Sequence, residues 1–282
     1  MHQSPSFVQS NQPSFVCKLK KALYGLKQAP RAWFSTYSNL LLTQDFIPSQ
    51  YDYSLFVKKT STSITILLIY VDDILLTRSD SLYIQTLVQA MHSAFSMKEL
   101  GFINYFLGIS VAPTSTGYVL SQHKYASEIL VKAGMSSCKL YSSPMATKHS
   151  SSSSTDDLPF SHPSLYRSLV GALQYMTITR PDLAFAVNHA CQFMQSPSNT
   201  HFVIVKRLLR YLKGTLDYGL HFSNGPLILN AFSDFDWAGN PIDRRYTTGY
   251  YVHLGLNLIA WTAKKQPTVS KSSSKAEYRA LA

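Results

Sequence analysis

The sequence predicts an α+β fold, with antiparallel strands and helices in separate stretches of the chain, and three observations carry that reading. Residues 64–77, ITILLIYVDDILLT, hold two short runs rich in Ile, Leu and Val on either side of Asp72 and Asp73. Each run is too short to cross a membrane, and the β-branched content favours strands over a helix. Residues 163–213 read as consecutive helices, the last with Val205, Leu208, Leu209 and Leu212 along one side. From residue 227 the pattern changes to short strands, LILNAFSDFD, TTGYYVHL and NLIAWTAK, before a final helix that starts near Ser273.

Taken in order, residues 1–16 hold Pro5, Pro13 and many Ser and Gln, an irregular arm. Residues 15–19 read as a basic strand. Gly25 and Pro30 bracket a bend, and 31–42 reads as a helix whose Trp33, Phe34, Tyr37, Leu40 and Leu41 recur at intervals of three and four. Residues 51–59 read as a strand leading to the 64–77 hairpin. Ser79 or Asp80 then caps a helix to about residue 95, with Ile84, Leu87, Val88, Met91 and Phe95 as a core stripe. Residues 104–121 read as a second hairpin, turning at 113–116. A short helix over 125–133 stops at Gly134. Ser150 to Ser154 mark a flexible linker. Helices follow at about 163–178, 181–195 (Pro181 at its start) and 199–213.

Charge and cysteine content bound the function. The 282 residues carry a net charge of +11, and no Asp or Glu precedes Asp45, whereas Lys18, Lys20, Lys21, Lys27 and Arg31 do. Such a surplus suits a polyanion through counterion release, although a basic protein with no nucleic-acid role has the same composition. Cys17, Cys138 and Cys191 are far apart and fit neither a zinc site nor a disulfide framework. That spacing, a polar N-terminus and the lack of a long apolar run predict an intracellular protein outside the membrane.

The paired aspartates are the chemical centre. Neighbouring strand residues point to opposite faces, so Asp72 and Asp73 serve one site only if the chain turns there. Two carboxylates between apolar strands call for a neutralising partner, and a divalent cation supplies one. Asp-Asp is also ordinary turn chemistry, but tight hairpin turns favour Gly or Asn, and neither is present.

Tyr70-Val71-Asp72-Asp73 resembles the YxDD signature of reverse transcriptases, and residues 23–33, LYGLKQAPRAW, are similar to the nucleotide-site motif of the Ty1/copia retrotransposon class. The resemblance continues through YFLGI (105–109), YRSLVG (166–171), TRPD (179–182), Ser233-Asp234 and AEYRA (276–280), and so covers nearly the whole chain. It implies part of the fingers and a palm-type sheet over 1–145, a linker over 146–162, a helical thumb or connection over 163–224, and the first half of a ribonuclease H-like α/β fold over 225–282.

The implied activity is RNA-directed DNA polymerisation. A primer 3′-hydroxyl attacks the α-phosphate of a deoxynucleoside triphosphate on an RNA or DNA template, assisted by two Mg2+ or Mn2+ ions. Asp72 and Asp73 become metal ligands. Gly25, Lys27, Gln28 and Tyr70 lie by the nucleotide and template, with Gly25 where backbone approaches closely; a solvated lysine is the plainer reading of Lys27. Phe106, Leu107 and Gly108 lie by the primer end, or form a purely structural hairpin. Lys206, Arg207, Arg210 and Lys213 follow duplex phosphates, or are simply solvated. Asp234 and Glu277 match the first two ribonuclease H carboxylates, and Asp236 shares the face of Asp234. A third palm aspartate precedes LYGLKQAP in the family, and residues 1–44 contain no carboxylate. The expectation is therefore a polyprotein fragment that is inactive alone, within a virus-like particle in an intact element. The alternatives are a non-catalytic nucleic-acid-binding remnant and a relic without function.

Overall fold

Helix α1, Ala29–Thr43, begins with Pro30 in its first turn, where the missing amide hydrogen is not needed. It lays Tyr37 and Leu41, both fully buried, against a four-stranded antiparallel sheet in chain order: β1 (Ile47–Pro48), β2 (Leu55–Lys59), β3 (Ile64–Tyr70) and β4 (Asp73–Arg78). Alternation along β3 buries Thr65, Leu67 and Ile69 on one face, as the period of two requires. Helix α2, Ser81–Ala94, adds Leu87 and Met91 to the same core beside Phe46 and Phe56. Each such side chain, fully buried, stabilises by about 1.5–3 kcal/mol relative to exposure. The Tyr37 hydroxyl meets Met91 Sδ at 3.0 Å, and burial pushes its pKa up.

This computed structural model describes residues 3, 5–20, 23, 25–78, 81–146, 157–237, 239 and 243–281. They fall into two compact units, Met1–Gly101 and Phe102–Ala282. Tyr24 of the 23–33 motif, the caps Ser79 and Asp80, and the Ser-rich stretch 147–156 lie outside the described residues. Among the described residues no helix is long and apolar enough to cross a membrane.

The second unit contains a further four-stranded antiparallel sheet: β5 (Tyr105–Phe106), β6 (Ile109–Pro113), β7 (Gly117–Ser121) and, much later in the chain, β8 (Gly219–Ser223). Between β7 and β8 run α3 (His123–Lys132), α4 (Pro163–Met176), α5 (Ala184–Cys191) and α6 (Asn199–Gly214). Leu169, Leu173, Leu183, Leu208, Leu209 and Leu212 form the centre of their shared core. Then come β9 (Leu229–Asp236), β10 (Thr247–Leu254), β11 (Asn257–Lys265) and α7 (Ser273–Leu281). These strands form a separate antiparallel sheet in the order β11-β10-β9, and α7 packs on β9 and β10.

Several sequence expectations are corrected here. Residues 15–19 form no strand: Phe15 and Val16 are exposed and only Val16 makes an isolated bridge, because strand propensity without a partner does not order a chain. The 51–59 strand is shortened to β2, since Asp52 Oδ1 accepts from the Ser54 amide (2.9 Å) and hydroxyl (2.6 Å) and makes a turn of 52–54. Residues 104–121 are three strands, not two, broken at Leu107-Gly108. The 181–195 helix opens as a single 3-10 turn, Pro181–Leu183, and ends at Cys191. Within the stretch read as helical to 224, residues 219–223 are β8. Its pairing brings backbones so close that a Cβ at Gly117 would run into the Phe222 carbonyl, and one at Gly219 into that of Leu120.

Candidate active site and nucleic-acid-binding face

The β3–β4 register pairs Tyr70 with Asp73, leaving Val71 and Asp72 as the turn. A two-residue hairpin follows the twist of its strands when its first central residue has a positive φ. Val71 adopts it, at φ 55, although β-branched residues seldom do. Asp72 in the turn and Asp73 at the start of β4 are both exposed, and neither side chain has a hydrogen-bond or ion-pair partner among the described residues. Magnesium is commonly held by one or two such carboxylates, with phosphate oxygens and water completing its octahedron. The donor set fits that ion. Among the described residues no group of three or more His, Cys, Asp or Glu is placed to hold a metal.

The 23–33 motif reaches this turn directly. Trp33, near the start of α1, donates its indole Nε1 hydrogen to the Val71 carbonyl at 2.5 Å. Its ring is seated edge-on against Phe95 (5.1 Å) and tilted against Tyr37 (5.2 Å), which ties the turn to the core beneath it. Lys27 and Gln28, just before α1, are exposed, and Tyr70 is 53% exposed. Gly25 has φ 88, but an added Cβ would meet nothing within 4 Å. The chain needs glycine there for its left-handed conformation, and among the described residues no backbone crowds it.

Residues 1–147 match the family model for reverse transcriptase (RNA-dependent DNA polymerase). The retrovirus-related Pol polyprotein from transposon RE2 of Arabidopsis thaliana is 44% identical over 100% of this chain. The chain belongs to the Ty1/copia class of reverse transcriptases. The retrovirus-related Pol polyprotein from transposon TNT 1-94 of Nicotiana tabacum is 35% identical over 99% of this chain and 22% of its own length. An uncharacterized mitochondrial protein of Arabidopsis thaliana is 52% identical over 77% of this chain and 90% of its own length. The chain spans 19% of the RE2 polyprotein. No solved structure matches it.

The remaining candidate residues lie in the second unit. Phe106 pairs with Ile109, so Leu107 and Gly108 form a two-residue turn in which both have positive φ, 50 and 78. Tyr175 on α4 donates its hydroxyl hydrogen to the Leu107 carbonyl. On α6, Lys206 is exposed with its ammonium 5.1 Å over Phe202, and Lys213 is half-buried. Arg207 and Arg210 are half-buried and turned inward: both guanidinium groups lie over Tyr141, at 4.8 and 5.1 Å. Arg207 Nη2 donates to Ser143 Oγ (2.8 Å) and Arg210 Nη1 to the Tyr141 hydroxyl (3.0 Å). Asp234 lies on β9 and Glu277 on α7, both exposed. Asp234 and Asp236 face the same side of β9, opposite Gly249 and Thr247, and Asp236 accepts from the Thr247 amide.

Trp33, Tyr141 and Tyr175 support these positions without a sequence pattern that announces it. Trp33 stands inside the 23–33 motif, where its spacing reports only core periodicity. Tyr141 and Tyr175 act across long sequence separations that no local pattern reports.

Proposed function

We propose that this chain carries part of the catalytic apparatus of an RNA-directed DNA polymerase, with Asp72 and Asp73 holding Mg2+ or Mn2+. One observation supports this reading above the others: the Trp33–Val71 hydrogen bond sets the nucleotide-site motif beside two open carboxylates on a tight turn. A bound ion would neutralise phosphate charge and lower the pKa of the attacking hydroxyl. The protein's part is to fix the two carboxylates and to offer Lys27 and Gln28 to triphosphate and template, with Gly25 and Tyr70 shaping the approach. Phe106, Leu107 and Gly108 would meet the primer end. The basic face of α6, through Lys206, Lys213 and the outer edges of Arg207 and Arg210, would follow duplex phosphates without reading bases. Asp234 and Glu277 are assigned by family position to a ribonuclease H-like carboxylate pair.

Primer extension on an RNA template with Mg2+ or Mn2+, by the chain and by its Asp72→Asn variant, tests the polymerase role. Extension lost in the variant supports it, and extension indifferent to the variant overturns it. The net charge of +11 favours a second reading, a non-catalytic nucleic-acid-binding remnant. Salt-dependent duplex binding with no extension at all selects that one.

A further inference from the structure

We propose that Trp33 is a positioning residue for the metal-holding turn: its indole N–H keeps Val71 in the conformation that presents Asp72 and Asp73 together. This inference rests on the assignment of metal binding to those two carboxylates. Val71 is the wrong residue for its backbone. A β-branched side chain at φ 55 is crowded by its own peptide groups, and a 54% exposed valine gains too little burial to offset the strain. Strained turns persist where surrounding structure over-determines them. Here the Val71 carbonyl lies outside the β3–β4 ladder, whose last pair is Tyr70 with Asp73. Its partner is the Trp33 indole at 2.5 Å.

The donor is itself held. Trp33 packs on Phe95 with the rings at 81°, and on Tyr37, which is fully buried and bonded to Met91. A peptide rotation at the tip that relieved Val71 would therefore break a hydrogen bond that the helix cannot follow. It would also re-aim the Asp72 side chain, which lies in the turn, while Asp73 remained fixed in β4. Loss of the N–H should thus separate the two carboxylates without disturbing the core. Glycine at position 71 accepts a positive φ without strain and should make the clamp dispensable.

The test uses the full chain labelled with 15N-tryptophan and titrated with Mn2+. In the unmodified protein the Trp33 indole hydrogen should exchange slowly, and its resonance should broaden at lower Mn2+ than those of Trp237 and Trp261. Trp33→Phe should raise the apparent Mn2+ dissociation constant threefold to tenfold, about the weight of one hydrogen bond. Adding Val71→Gly to Trp33→Phe should bring it back to within about twofold of the unmodified protein, a rescue that a general loss of packing would not allow. Binding that is lost in Asp72→Asn but unchanged in Trp33→Phe overturns the clamp alone. Binding unchanged in both Asp72→Asn and Asp73→Asn overturns the metal assignment beneath it. Should Trp33→Phe unfold, the unmodified chain still decides: an indole hydrogen that exchanges as fast as that of free tryptophan overturns the proposal.

Discussion

Asp72 and Arg180 show how differently a charge is used in this chain. Asp72 has no partner among the described residues, so Asp72→Asn should change folding stability by less than about 0.5 kcal/mol, measured by urea denaturation, while removing Mn2+ binding. Arg180 is 1% exposed, and its guanidinium bonds Asp182 through Nε (2.9 Å) and Nη2 (2.7 Å) and the Thr215 carbonyl through Nη1 (2.8 Å). Tyr211 and Tyr218 flank it, and Tyr211 also donates to Asp182 at 2.8 Å. Removing one partner of a buried pair leaves the other uncompensated, so Arg180→Met should cost about 3 kcal/mol in the second unit. Burial alone would raise the Asp182 pKa, but the hydrogen bonds and charge of Arg180, with Tyr211, hold it below the ordinary carboxylate range. A lowered folded pKa contributes stability that is complete above the unfolded value of about 3.9 and lost as pH falls through the folded one. Acid unfolding of the second unit should therefore begin below about pH 4 and move to higher pH in Arg180→Met.

Elements were legible where local pattern decided them. The α2 stripe follows from helical spacing, and the 64–77 hairpin from two short Ile-, Leu- and Val-rich runs that flank a pair of aspartates. The β5–β6 turn was not, since Leu107-Gly108 carries a weaker turn signal than Asn-Gly and is held from α4 by Tyr175. The α6 face is the instructive partial case. Its spacing is as expected, yet Tyr141 and Ser143 engage both arginines. Lys206→Gln with Lys213→Gln should therefore weaken duplex binding alike for every sequence and lower the salt slope by up to about 0.9 per lost contact on a B-form duplex. Arg210→Gln should in addition destabilise the second unit by about 1 kcal/mol, because it forfeits the stack on Tyr141 and a hydrogen bond. Unchanged affinity through a salt titration of the double-lysine variant would mean that the face is only solvated.

At the scale of the molecule, the sequence announced α+β content and the strand–helix order of 229–281, but not which distant segments pair. The β9–β11 sheet leaves Leu229, Phe232 and Tyr251 largely exposed, with Phe232 stacked on Tyr251 at 4.9 Å and β9 at its edge. Its amides should exchange earliest among the described strands, ahead of β3 and β7, in a native-state hydrogen-exchange experiment. With Asp234 and Glu277 exposed and no larger ligand group among the described residues, purified protein should leave the RNA of an RNA–DNA hybrid uncut. The late arrival of β8 has a consequence in time. During synthesis β7 is complete at Ser121, while its partner begins only at Gly219. At roughly 5–20 residues per second, the free edge of β7 waits for about 5–20 s before the chain that covers it has been made. For that interval the nascent chain carries an open strand edge, the kind of surface that recruits chaperones or another copy's edge. A ribosome stalled before Gly219 would hold it in that state.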